Sequence, residues 1–259
     1  MMKKLIPALC MLMVAAALLG TSTFAWFSMN TEVEANGMSV QAATSANLVI
    51  KNSTASTWSR AADATYAGTQ TLMPASTSLT AGVLSAGKFF YVSNTEDIDY
   101  DTGAADANTV FEAVPVTANE ENDYVSANTF TIAVEGDKTF TNLYVSEITV
   151  SSSANAISKA LRVAVVTDAH AYIFAPVAGH TDNYKGVKAA ATGTDAALST
   201  TAETLTSVGT SATLGSISDA AEVDVTIYVW YEGQDENCIS GNAINVEELS
   251  VGVHFIAVD

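Results

Sequence analysis

The run "DIDYDTG" sets Asp97, Asp99 and Asp101 at alternate positions ahead of Gly103. Carboxylates spaced this way on a turn can converge on Ca2+, a hard cation that takes several oxygen ligands. The spacing resembles the start of an EF-type loop. Its glycine falls one position late, however, and Asn108 stands where such a loop carries its bidentate glutamate. A solvated acidic loop is the competing reading. A second run, "WYEGQDENC", clusters Glu232, Asp235 and Glu236 beside Trp230 and Tyr231 and ends on Cys238. Aromatic faces flanked by acids suit a cation or a glycan. The alternative is a strand end followed by a polar loop, as loops at sheet ends are solvated.

Catalytic groupings are not apparent. His170, His180 and His254 share no HxH or HxxxH spacing, and one cysteine outside the N-terminal segment makes no thiolate cluster. There is no GxSxG elbow, phosphate-cradling glycine loop or Cys–His cue. No enzymatic activity and no obligatory cofactor are expected, with Ca2+ at Asp97, Asp99 and Asp101 the one metal considered.

The formal charge is −18 over 259 residues, with 28 acids against 10 Lys and Arg. A chain this acidic repels polyanions, so nucleic acid and anionic membrane surfaces are not expected partners. Lys3 and Lys4 precede an apolar run from Leu5 to Leu19, and Thr23–Ala25 follows. This is the layout of a signal peptide over residues 1–25, cleaved between Ala25 and Trp26. Its core is shorter than the ~20 residues that span a bilayer, so membrane contact is expected only through the uncleaved signal. Cleavage takes the formal charge to −20 and leaves Cys238 as the only thiol, either buried and inert or an intermolecular linker.

The elements that would position these groups are strands. Period-2 alternation puts Phe130, Ile132 and Val134 on one face, then Leu161, Val163 and Val165. It does the same for Val223, Val225, Ile227, Val229 and Tyr231, and for Leu249, Val251, Val253 and Phe255. Shorter candidates are Asn47–Ile50, Lys88–Val92 and Val110–Val116. In "NLYVSEITV" the phase slips between Val145 and Ile148; a bulge near Ser146 and Glu147, or a break between two strands, would account for it. Ser93–Asn108 and the Thr/Ser-rich tract Ala189–Ser218 read as insertions. A short helix capped by Thr194 or Asp195 fits within the latter, and one helical turn fits within Ser153–Leu161. Eight to ten strands in one unit, residues 37–259, imply an all-β sandwich of jelly-roll type with short helical insertions.

Residues 26–36 form a separate ribbon. Phe27, Met29, Val33 and Ala35 fall on one side of an extended chain, with Ser28, Asn30, Glu32 and Glu34 on the other. Burying each of the larger apolar side chains is worth at most about 1.5–3 kcal/mol. The ribbon can pair within its own domain, or add to the sheet of a neighbouring copy. Head-to-tail addition does not close, and so builds an open filament.

The stretch "LLGTSTFAWFSMNTEVEANGMSVQA" resembles the exported TasA/camelysin group of Gram-positive bacteria, with Ala25, Trp26, Phe27, Ser28, Asn36 and Gly37 as the matching positions. The phrase "YVWYEGQDENC" also resembles uncharacterised exported proteins of clostridial type. The likeness is confined to the two ends of the chain. It implies cleavage by a dedicated signal peptidase, a jelly-roll-like sandwich, and a biofilm-matrix fibre joined by donor-strand exchange. Trp26, Phe27, Met29, Val33 and Ala35 would then be the polymerisation residues, with identical subunits as partners in a secreted, extracellular or cell-surface fibre. A monomeric adhesin that binds glycan or calcium, through Asp97–Asp101 or the Trp230 region, is the alternative.

Overall fold

The computed structural model describes residues 39–44, 48–64, 72–77, 89–94, 111–117, 121–151, 155–180, 205–219, 221–233, 235, 237–238 and 249–259. Its strands are β1 (Ser39–Thr44), β2 (Leu48–Asn52), β3 (Ala61–Asp63), β4 (Ser76–Thr77), β5 (Phe89–Asn94), β6 (Phe111–Pro115), β7 (Ser126–Val134) and β8 (Thr139–Val150). The remainder are β9 (Leu161–Val166), β10 (Ala171–Phe174), β11 (Thr213–Ser218), β12 (Val223–Tyr231) and β13 (Ser250–Val258). Among the described residues, helix is confined to α1 (Glu121–Tyr124) and two 3-10 turns, Ala156–Ala160 and Thr210–Ala212. The first of these turns falls where one was expected. No helix among the described residues is long and apolar enough to cross a membrane.

Two five-stranded sheets face each other. Sheet A runs β11-β8-β13-β1-β3 and sheet B runs β10-β9-β12-β7-β2. The chain changes sheet at most steps, and β1 lies parallel to β13 while the other strand pairs are antiparallel. The alternation read from the sequence places the core. Phe130, Ile132, Leu161, Val163, Val165, Val225, Ile227 and Val229 from sheet B meet Leu143, Val145, Val251, Val253 and Phe255 from sheet A.

The phase slip in β8 is a bulge within one continuous strand. His254 pairs with Glu147 and Phe255 with Val145, so Ser146 is the extra residue. Its hydroxyl donates to the His254 carbonyl at 3.1 Å. The bulge returns Ile148 and Val150 to the side of Leu143 and Val145, where they pack against the core.

Two features depart from the expectation. The pieces around Phe89–Val92 and Phe111–Pro115 do not extend the sandwich; β5 and β6 join β4 in a third, three-stranded sheet. This layer covers part of the outer face of sheet B, where Phe89 and Val116 pack with Ala164, Val166, Ile173, Tyr228 and Trp230. Strand β9 is therefore buried at all six positions. Second, Thr213–Ser218, read as part of an insertion, is an edge strand of sheet A. Its register shifts about Gly215, whose φ of 95° suits glycine, so Leu214 and Ile217 reach the core three residues apart and no alternation is visible. The adjoining Leu205–Val208 is not helical. Leu205 bridges Ile173, and the Thr206 N–H bonds the Ile173 carbonyl at 2.7 Å.

Candidate functional site

The most concentrated chemistry among the described residues lies where β9, the end of β12 and β4 converge. Arg162 projects from β9 on the face opposite Leu161 and Val163, under the third sheet. Neither its side chain nor that of Asp235 is exposed at all, and Nη2 meets Oδ2 at 3.0 Å. Nη1 also donates to the carbonyls of Lys159 and Leu161, each at 3.3 Å. The other Asp235 oxygen accepts from the Asn237 backbone N–H at 2.9 Å and from Asn237 Nδ2 at 2.8 Å. Asn237 Nδ2 reaches on to the Gly179 carbonyl at 3.1 Å, tying this loop to the one after β10.

Glu232, also buried, accepts from Ser76 Oγ on β4 and from Trp230 Nε1, the latter at 3.3 Å. Backbone bonds reinforce the junction. Ala75 N–H donates to the Tyr231 carbonyl at 3.0 Å, Gly233 N–H to the Ala75 carbonyl at 2.8 Å, and Glu232 N–H to the Ala160 carbonyl at 2.8 Å. One arginine and two carboxylates, each satisfied by hydrogen bonds, thus clasp the third sheet and the 235–238 loop to sheet B. Burying such groups is tolerable only with this degree of pairing.

Cys238 and Tyr231 complete the cluster on the core side. Burial pushes the Cys238 thiol well above its ordinary range; Glu232 and Asp235 push the same way, and Arg162 opposes them. The thiol stays protonated at neutral pH and is covered, which matches the buried, inert alternative for this residue. Burial, followed by the neighbouring Cys238, likewise raises Tyr231, whose phenol oxygen is buried without a hydrogen-bond partner.

This geometry corrects one expectation. Trp230, Tyr231, Glu232 and Asp235 do not form a surface patch; all four are buried, so neither aromatic face can stack on a glycan. The Trp230 edge instead meets the Phe89 ring at 5.2 Å between centroids. A cue was present in the sequence. "ALRVAVV" places an arginine inside an apolar run, and a charge there requires a buried acid.

The other groups named from the sequence are dispersed. His254 lies on the outer face of sheet A, half-buried, as its phase implied. His170 stacks on Tyr172 at 6.1 Å. His180 lines a groove of about 460 Å3 with Glu147, Ile148, Phe174, Pro176 and Val208. No trio of His, Cys, Asp or Glu among the described residues is placed to hold a metal. Ala25, Trp26, Phe27, Met29, Val33 and Ala35, with Asp97, Asp99 and Asp101, lie outside the described residues. So do Thr194 and Asp195.

No family model, no curated protein and no solved structure matches this chain.

Proposed function

We propose that the protein is a secreted, non-enzymatic structural subunit of an extracellular or biofilm-matrix fibre, joined head to tail by its N-terminal strand. The observation that carries this reading is the alternation of Phe27, Met29, Val33 and Ala35 immediately upstream of β1. An extended ribbon with one oily side gains by adding to a sheet, and sheet addition supplies ladder hydrogen bonds as well as apolar burial. The position of β1 supports an outward role for the ribbon. β1 already has β13 on one side and β3 on the other, so its own pairing is complete without the preceding residues. Export with a signal peptide, an acidic surface and the likeness of the N-terminal stretch to TasA/camelysin proteins point the same way.

The test is deletion of residues 26–35 from the exported chain. The truncated protein is expected to fold, remain monomeric and form no fibres in electron micrographs, whereas the full exported chain forms them. Fibres from the truncated protein would overturn the proposal.

A further inference from the structure

The outer face of sheet B has two halves. One is covered by the third sheet. On the other, strands β2, β7 and β12 place Lys51, Thr131 and Asp224 in one row, with Thr131 buried, and the half-buried Thr129 and Thr226 in the next. These polar groups are locked together. Thr131 Oγ1 donates to Asp224 Oδ1 at 2.7 Å, and the Thr129 and Thr226 hydroxyls are 2.9 Å apart. Above Lys51 lies Trp58, with the ammonium 4.2 Å from the indole centroid and 37% of the residue's surface open to solvent.

Trp58 is exposed on a rigid support. Its neighbour Ser59 exchanges two backbone hydrogen bonds with Ile50, at 2.7 and 3.0 Å. At the other end of the loop, Asn52 Oδ1 accepts from the Thr54 N–H at 3.1 Å, and Ser53 N–H bonds the Thr129 carbonyl at 3.0 Å. A held indole contributes little to stability while it faces water, but it has already lost the freedom that binding would otherwise remove. Lys51 pairs with Glu222 at 3.7 Å, and Arg60, two residues on from Trp58 in the chain, pairs with Glu135. Such pairs offer donors and acceptors side by side without a net field, on a chain whose overall charge repels polyanions.

We propose that Trp58 and this hydroxyl-rich face bind a neutral polysaccharide. The apolar C–H face of a hexose would cover the indole, and its hydroxyls would meet the paired carboxylates, amine and guanidinium around the ring. The site is independent of the N-terminal ribbon and does not require the protein to form fibres.

Affinity electrophoresis of the full exported chain tests it, in native gels containing hydroxyethylcellulose, dextran or galactomannan, with hyaluronate as the anionic counterpart. Retardation is expected in at least one neutral gel. Trp58→Ala should weaken it at least tenfold and Trp58→Phe by less, and both variants should melt within a few degrees of wild type, the partly exposed cation–π contact with Lys51 being the main loss. Migration unaffected by all three neutral polymers, equal retardation of wild type and Trp58→Ala, or retention by hyaluronate alone would overturn the proposal. So would a Trp58-dependent self-association without any glycan effect, which would mark the face as a contact between copies. If Trp58→Ala lowers the melting temperature further, Trp58→Phe decides the matter: a folded phenylalanine variant with undiminished retardation also overturns it.

Discussion

Trp230 and Trp58 belong to the same side of sheet B and have opposite surroundings. Trp230 lies under the third sheet, edge-on to Phe89, its N–H held by buried Glu232. Trp58 lies in an exposed loop, its ring held from below by Lys51. The acids differ in the same way. Glu232 and Asp235 are buried and bonded to specific donors, whereas Glu222 and Glu135 sit in ion pairs with side chains 59% exposed. An aromatic beside acidic residues can thus be an internal clasp or an open platform. What separates the two is whether another layer of chain covers the sheet.

The comparison can be broken most easily at Arg162. Arg162→Met leaves Asp235 buried without its cation, and the expected loss is about 3–5 kcal/mol in denaturant unfolding. Lys51→Met on the open half removes a screened ion pair and an exposed cation–π contact, for an expected loss of at most about 1 kcal/mol. Equal costs would mean that the covered half is no more of a clasp than the open one.

A smaller effect is expected in alkali. Cys238 has its folded pKa raised by burial and by Glu232 and Asp235, so the folded state keeps a proton that the unfolded chain releases. Its contribution is complete below the unfolded value of about 8.5 and falls as pH rises above it, by up to about 1.4 kcal/mol per pH unit. Cys238→Ala should flatten the stability profile between about pH 8.5 and 10, below the range where deprotonation of Tyr231 in the unfolded chain would act the same way. An unchanged alkaline slope would place the lost protons elsewhere.

The smallest change concerns the buried phenol. Tyr231→Phe removes an oxygen with no hydrogen-bond partner, and a gain of about 1 kcal/mol is expected from thermal or denaturant unfolding. A loss of similar size would show that the oxygen has a favourable contact in solution.

The strands of the sandwich core were legible because their periodicity is local: β7, β9, β12 and β13 each alternate, and a slipped phase marked the Ser146 bulge. Four features were less legible. β11 lacks alternation because the register shifts about Gly215. The third sheet was hidden because its strands look the same whether they extend a sandwich or cover one. The Arg162–Asp235 pair joins residues 73 apart in the chain, so the arginine within "ALRVAVV" signals that a buried acid is needed but not which one. Trp58, in a short polar loop, carried no pattern at all; its exposure and its position over Lys51 emerge only from the fold.

The fibre proposal is tested most directly by restoring the ribbon to a chain that lacks it. A synthetic peptide spanning Trp26–Ala35 is titrated into the exported protein lacking those residues, with heat of binding as the readout. Saturable one-to-one binding, weakened at least tenfold when Phe27 and Val33 of the peptide are replaced by Ser, is the predicted result. No binding by a folded truncated protein, or binding indifferent to those two replacements, would contradict strand donation.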